Sequence, residues 1–185
     1  MQERYVLDNI INAEELLWIY NKLIQSSSWT LAHATLADNV LKMPFNIYPA
    51  LHIESLGITY CEFFSGYFRS LTFRIISLLK LTHNAHIPSH IKRIHVGAKS
   101  SYTKTSFHVD SQSLNDWSIL GFLNPVWNAP DGGQFYLKDE RIEYKPGRFV
   151  VFPSSIEHDG GYVANETISY WRLCVNIVLT PAHDS

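Results

Sequence analysis

Residues 117–153 read WSILGFLNPVWNAPDGGQFYLKDERIEYKPGRFVVFP. Short apolar runs alternate here with turn chemistry, Pro-Asp-Gly-Gly at 130–133 and Lys-Pro-Gly at 145–147. Gly reaches positive φ at no steric cost and Pro presets φ, so such clusters mark turns. The stretch predicts strands at 117–124, 133–137, 141–144 and 148–153. The pattern extends outward, to segments 91–97 and 105–111 before it and 160–164 and 167–179 after it. Asn-Asp at 115–116 and Ala-Asn-Glu at 164–166 punctuate these. Short strands at close, regular spacing argue for an antiparallel sandwich or barrel.

Upstream, the periodicity changes. Leu16, Leu17, Tyr20, Leu23 and Ile24 recur at helical spacing. Asn12 is a natural N-cap, with Glu15 three positions on as capping-box partner. A helix is predicted from Ala13 to Gln25 and a second from Glu62 to Leu81. Tyr5 to Leu7 and Trp29 to Ala34 are strand candidates, 35–60 reads as irregular, and His83 to His90 as a loop. The expected organisation is one domain over 1–185, with a mostly helical support region at 1–90 and a strand core at 91–180. Helices covering one face of such a core make an α+β fold.

Composition narrows the function classes. The 185 residues are 46% hydrophobic and 17% charged, enough for a packed interior. A formal charge of −2 offers no strong electrostatic case for nucleic acid or an anionic membrane, though it leaves room for a local basic groove. Two cysteines, Cys61 and Cys174, are too few for a disulfide framework. The apolar stretch Phe63–Leu81 carries Arg69, Arg74 and Lys80, whereas a spanning helix wants about 20 residues with few or no charges. MQERYVLDN at the start has no secretory character. The cytoplasm is the default compartment on this reading.

Nine histidines raise the question of metal. In Ser106-Phe107-His108-Val109-Asp110, side chains at i and i+2 of a strand share a face, roughly 7 Å apart at the backbone. His108 and Asp110 can therefore converge on one cation. His158, just past the apolar strand 148–152, is the candidate third ligand. Two histidines and one carboxylate leave the opposite positions of an ion open, a geometry diagnostic of non-haem Fe(II) oxygenases. In the last strand, Trp171, Leu173, Val175, Ile177 and Leu179 fall on one apolar face and Arg172, Cys174 and Asn176 on the other. An arginine facing inward needs an anion, because a buried unpaired charge is costly.

The ordered set resembles the Fe(II)- and 2-oxoglutarate-dependent dioxygenases, and within them the prolyl-4-hydroxylase-like branch. It comprises His108-Val109-Asp110, Leu123-Asn124-Pro125-Val126-Trp127, Gly132-Gly133-Gln134-Phe135, Pro146 to Pro153, His158 and Arg172, and spans roughly 91–180. The resemblance implies a double-stranded β-helix, or jelly roll, with N-terminal helices on its major sheet. It implies Fe(II) held by His108, Asp110 and His158. It also implies 2-oxoglutarate anchored by Arg172 at its far carboxylate, O2 as co-oxidant and ascorbate as a stimulant. Hydroxylation of an unactivated C–H bond in a peptide, protein or small molecule follows, with release of succinate and CO2. Halogenating relatives lack the carboxylate ligand, and Asp110 keeps it.

Two features depart from the pattern. Arg172 lies fourteen residues beyond His158, more than in many relatives, and Cys174 stands where a small hydroxyl residue is common, a role Tyr170 could fill. Arg93, His95, Lys99 and Tyr102 are candidate donors to the metal-proximal carboxylate of 2-oxoglutarate, Tyr102 preferred. Trp127 either lines the substrate entrance or packs on the barrel rim. Rival readings are a jelly-roll module that binds a metal or small acid without turnover, and a cupin-like metalloenzyme that uses no 2-oxoglutarate. A His83-His86-His90 cluster is a weaker metal candidate, since Pro88 breaks any helix there.

Overall fold

The computed structural model describes residues 4–33, 47–101, 103, 106–161, 163 and 171–182. Its strands are β1 (Tyr5–Leu7), β2 (Thr30–His33), β3 (Ile47–Ser55), β4 (Ile58–Thr59), β5 (His90–Lys99), β6 (Trp117–Phe122), β7 (Phe135–Leu137), β8 (Glu140–Ile142), β9 (Phe149–Pro153), β10 (His158–Asp159) and β11 (Arg172–Thr180). Helices α1 (Ala13–Ile24) and α2 (Glu62–His83) complete the set. The major sheet runs β1-β9-β6-β11-β5-β3-β2, with β4 hanging on β3, and the minor sheet runs β10-β7-β8. All pairings are antiparallel. This is a jelly roll with helices on the outer face of its larger sheet.

Alternation along the central strands builds two cores. Phe149 and Val151 of β9, Ile119 of β6, and Leu173, Val175, Ile177 and Leu179 of β11 face outward, onto Leu16, Ile19 and Leu23 of α1 and Phe68, Leu71 and Ile75 of α2. Val150 and Phe152 of β9, with Leu120 and Phe122 of β6, face inward to Phe135 and Leu137 of β7 and Ile142 of β8. Strands covered on both sides lose the polar half of their alternation, hence the unbroken FVVFP of β9.

Several expectations change. The segment 35–60 is not irregular where it is described, since β3 and β4 lie in it, and β1, β2 and β3 all join the major sheet. The first half is therefore support region and sheet together. Pro49, which lacks an N–H, falls just before pairing with β5 begins at Ala50. The capping box is half formed. Asn12 Oδ1 accepts from the Glu15 N–H at 2.8 Å, but the Glu15 carboxylate turns away to Arg74 and Tyr67. Helix α2 runs past Leu81 to His83 and stops at Asn84, left-handed at φ 51°. Within 105–111 the described residues form only an isolated bridge, His108 to His158. Within 160–164 they form only the bridge from Val163 to Gly132. Among the described residues, no helix is long and apolar enough to cross a membrane.

Candidate metal centre and anion anchor

His108, Asp110 and His158, separated by up to fifty residues in the chain, meet at the mouth of the barrel. One ligating atom from each lies within 4.8 Å of the others. Backbone bonds arrange this. The His108 N–H donates to the His158 carbonyl at 3.0 Å and the reverse bond is 2.9 Å. The Asp110 N–H then reaches the Ser154 carbonyl at 3.0 Å. The two rings lie 4.5 Å apart, and His158 also packs on Phe152 and Phe135.

Each imidazole is oriented by its own backbone. His108 Nδ1 is 2.9 Å from the Ser106 carbonyl and His158 Nδ1 is 2.9 Å from the Ile156 carbonyl. A carbonyl only accepts, so Nδ1 carries a proton in both rings, and Nε2 is the nitrogen each ring has free to offer a metal. Hydrogen-bonded second nitrogens of this kind are the usual support of metal-ligating histidines. Burial pulls the His158 pKa below the ordinary imidazole value.

Asp110 is held from three sides. Its Oδ2 accepts from Ser118 Oγ at 2.7 Å and Asn176 Nδ2 at 2.8 Å, and its Oδ1 from Arg93 Nη2 at 3.1 Å. Since the Ser118 hydroxyl donates to Asp110, it accepts from Ser154 Oγ at 2.8 Å. Burial alone would raise this carboxyl, but His158, Arg93 and the hydrogen bonds hold it below the usual carboxylate range. Ser118, Asn176 and Arg93 were not singled out as supports of the aspartate from sequence. Asn176 had a signal, being four residues along β11 from Arg172 on the same face.

Arg172 opens β11 with 1% of its surface exposed. Its guanidinium lies over Phe122 and Tyr144, 5.9 and 5.5 Å from the ring centroids. Nε and Nη2 are buried without a hydrogen-bond partner. The Leu-Asn-Pro motif fixes the start of this strand: Asn124 Oδ1 accepts from the Leu173 N–H and the Tyr144 hydroxyl, both at 2.7 Å, and its Nδ2 donates to the Trp171 carbonyl. Gly133 forms the opposite wall at φ 74°, and a Cβ there would stand 3.0 Å from both Arg172 Cδ and Trp127 Cζ2.

Comparisons with known proteins agree with this architecture. The chain superposes on a Pseudomonas putida prolyl-4-hydroxylase with a TM-score of 0.64 at 18% identity, over 98% of this chain and 94% of the other. A Burkholderia pseudomallei oxidoreductase of the 2OG-Fe(II) oxygenase family gives 0.67 at 15%, over 95% and 84%. A Trichoplax adhaerens prolyl hydroxylase, in complex with a hypoxia inducible factor peptide fragment, gives 0.64 at 16%, over 97% and 84%. No protein-family model and no curated protein matches the sequence. The fold is that of the 2OG-Fe(II) oxygenases.

Within that oxygenase fold, the remaining candidate residues separate clearly. Tyr102 and Tyr170 lie outside the described residues. Trp127 is 8% exposed, donates from Nε1 to the Gly132 carbonyl at 3.0 Å and lies against Tyr144. Its ring packs in the barrel wall, where a Cβ at Gly133 would meet it at 3.0 Å. His83, His86 and His90 are exposed and, among the described residues, gather into no metal group. Burial raises the Cys174 thiol, which keeps it from acting as a thiolate.

Proposed function

We propose that the protein is an Fe(II)- and 2-oxoglutarate-dependent dioxygenase that hydroxylates an unactivated C–H bond. The observation that carries this reading is Arg172, a guanidinium with buried, unpartnered Nε and Nη2 on the same inward strand face as Asn176, which holds Asp110. A guanidinium fork matches a carboxylate in a two-pronged way, so a small dicarboxylate fits where a protein carboxylate is missing. The donor set of two imidazoles and one carboxylate suits Fe(II) with open positions. His108, Asp110 and His158 would hold that ion, which supplies the activation of O2 coupled to oxidative decarboxylation of 2-oxoglutarate to succinate and CO2.

The chain's own residues prepare the site. Ser106 and Ile156 carbonyls fix which imidazole nitrogen faces inward. Ser118, Asn176 and Arg93 hold Asp110 ionised and aimed. Phe122, Phe135 and Phe152 exclude water behind the ligands. A peptide or protein substrate is supported by the peptide bound to the Trichoplax prolyl hydroxylase; small molecules are the other class.

The test is succinate formation from 2-oxoglutarate with Fe(II) and ascorbate, with and without candidate peptides and small acids. Turnover in the wild type, lost in His108→Ala together with most divalent-metal affinity, supports the proposal. Full turnover by His108→Ala at limiting iron removes that ligand. Silence of the wild type across a broad panel favours a binding module.

A further inference from the structure

Lys99, the last residue of β5, is the cross-strand partner of Arg172, the first residue of β11. Side chains of directly opposed residues stand on the same face, so both cations project into the barrel. They also converge. The position that a Cβ would take at Gly160 lies 2.5 Å from Lys99 Nζ and 3.3 Å from Arg172 Nη1. Like charges directly opposite one another repel, and poor solvation strengthens the repulsion. Burial and the Arg172 guanidinium pull the Lys99 ammonium down to about 8. Among the described residues two carboxylates bear on the Lys99 ammonium, Asp110 and, more strongly, Asp159. The Asp159 Oδ1 is buried and unpartnered too, and among the described residues no ion pair joins it to either cation. Two cations side by side, one of them fully buried with idle donors, describe a site built for an anion.

The register says which anion end it serves. Asn176, which touches Asp110, is partnered by His95, while Arg172 is partnered by Lys99 four residues further along the same pair of strands. Lys99 thus stands level with the anchor and away from the metal ligands. We propose that Lys99 is the second arm of the cosubstrate site, a point charge that joins the Arg172 fork in gripping the distal carboxylate of 2-oxoglutarate. This rests on the dioxygenase reading. It assigns Lys99 to the end of the cosubstrate remote from the metal, and it makes the doubly charged 2-oxo acid strongly preferred over a 2-oxo monoacid, which would leave both cations uncompensated.

Calorimetry on Mn(II)-loaded full-length protein tests this with two probes. 2-Oxoglutarate and 2-oxopentanoate share the keto-acid end, and only the first has a distal carboxylate. Lys99→Met should weaken 2-oxoglutarate at least ten-fold, because a charge-assisted contact is lost, and leave 2-oxopentanoate within two-fold of wild type. Lys99→Gln should repeat the pattern, and a thermal melt confirms that each variant is folded. Unchanged 2-oxoglutarate affinity in both folded variants overturns the assignment while the dioxygenase reading stands. Equal loss of both probes also overturns it, since Lys99 would then serve the shared end. A wild type that binds neither probe overturns assignment and reading together.

Discussion

Replacing Arg172 by methionine should make the ligand-free protein more stable while destroying its response to 2-oxoglutarate. Arg172 holds two buried N–H groups, Nε and Nη2, without partners, and each such group costs about 1–3 kcal/mol. Its positions 5.9 and 5.5 Å over Phe122 and Tyr144 lie near the outer limit for cation–π attraction, which returns about 1 kcal/mol in total. A methionine side chain keeps the aliphatic stem and fills similar volume without charge. The net gain is about 2 kcal/mol, within the range seen when buried ionic groups give way to apolar ones. For a chain of 185 residues this is a rise in Tm of about 4–8 °C. In the Mn(II)-loaded proteins, 2-oxoglutarate at a hundred times its wild-type Kd should add about 2.7 kcal/mol of stability to the wild type and hardly any to the Arg172→Met variant. Differential scanning calorimetry on both proteins, with and without ligand, reads all four values. A ligand-free Arg172→Met variant that melts several degrees below wild type would refute the reasoning, because the guanidinium would then be satisfied within the protein itself.

Gly133→Ala should lower stability by about 2 kcal/mol, combining a positive φ of 74° with Cβ contacts of 3.0 Å to Arg172 and Trp127. Urea unfolding measures it, and 2-oxoglutarate affinity should fall as well because Arg172 Cδ must move. Arg69→Leu leaves the Glu54 carboxylate, 1% exposed, with Ser65 as its remaining partner. Removing one side of a buried pair is expensive, and with Arg69 half exposed the loss should be about 2–3 kcal/mol in the same assay. Asp8 is tied to Arg148 and Lys145, and these hydrogen bonds hold its carboxyl down to about 2. A carboxyl with a lowered folded pKa stabilises above its unfolded value near 3.8 and loses that contribution as pH falls through 2. Asp8→Asn should therefore cost under about 1 kcal/mol at neutral pH, given its exposure, and the difference from wild type should shrink as pH falls through about 2 and vanish below it.

The strand core was legible because turn chemistry and apolar alternation are local signals. Pro146-Gly147 sets the start of β9, and Leu173, Val175, Ile177 and Leu179 mark the outward face of β11 without any knowledge of their partners. Strand β3 escaped because its alternation of Leu51 and Ile53 with His52 and Glu54 is interrupted by Pro49 and by a register shift between His52 and Glu54. The i, i+2 pattern predicts a strand over 105–111. The structure brings His108 and Asp110 together by separate bonds, to His158 and Ser154, that no local rule encodes. The outer supports of the site were illegible for the same reason. Ser118, Ser154 and Asn176 are ordinary polar residues until topology lays β6, β9 and β11 side by side.

Strand β11 shows how one element divides stability from chemistry. Its outward residues, Leu173, Val175, Ile177 and Leu179, are at most 2% exposed and bind the sheet to the helices. Burial of such side chains contributes about 1.5–3 kcal/mol each, a surplus that can offset an inward face the fold would not choose. On that face the Asn176 amide is committed to Asp110, and Arg172 keeps buried donors idle beside Lys99. A sequence selected for stability alone would place apolar residues at 99 and 172, closing the inner core over Phe122 and Phe135. That both positions instead carry cations, in direct cross-strand register, is the arrangement that the proposed anion would complete.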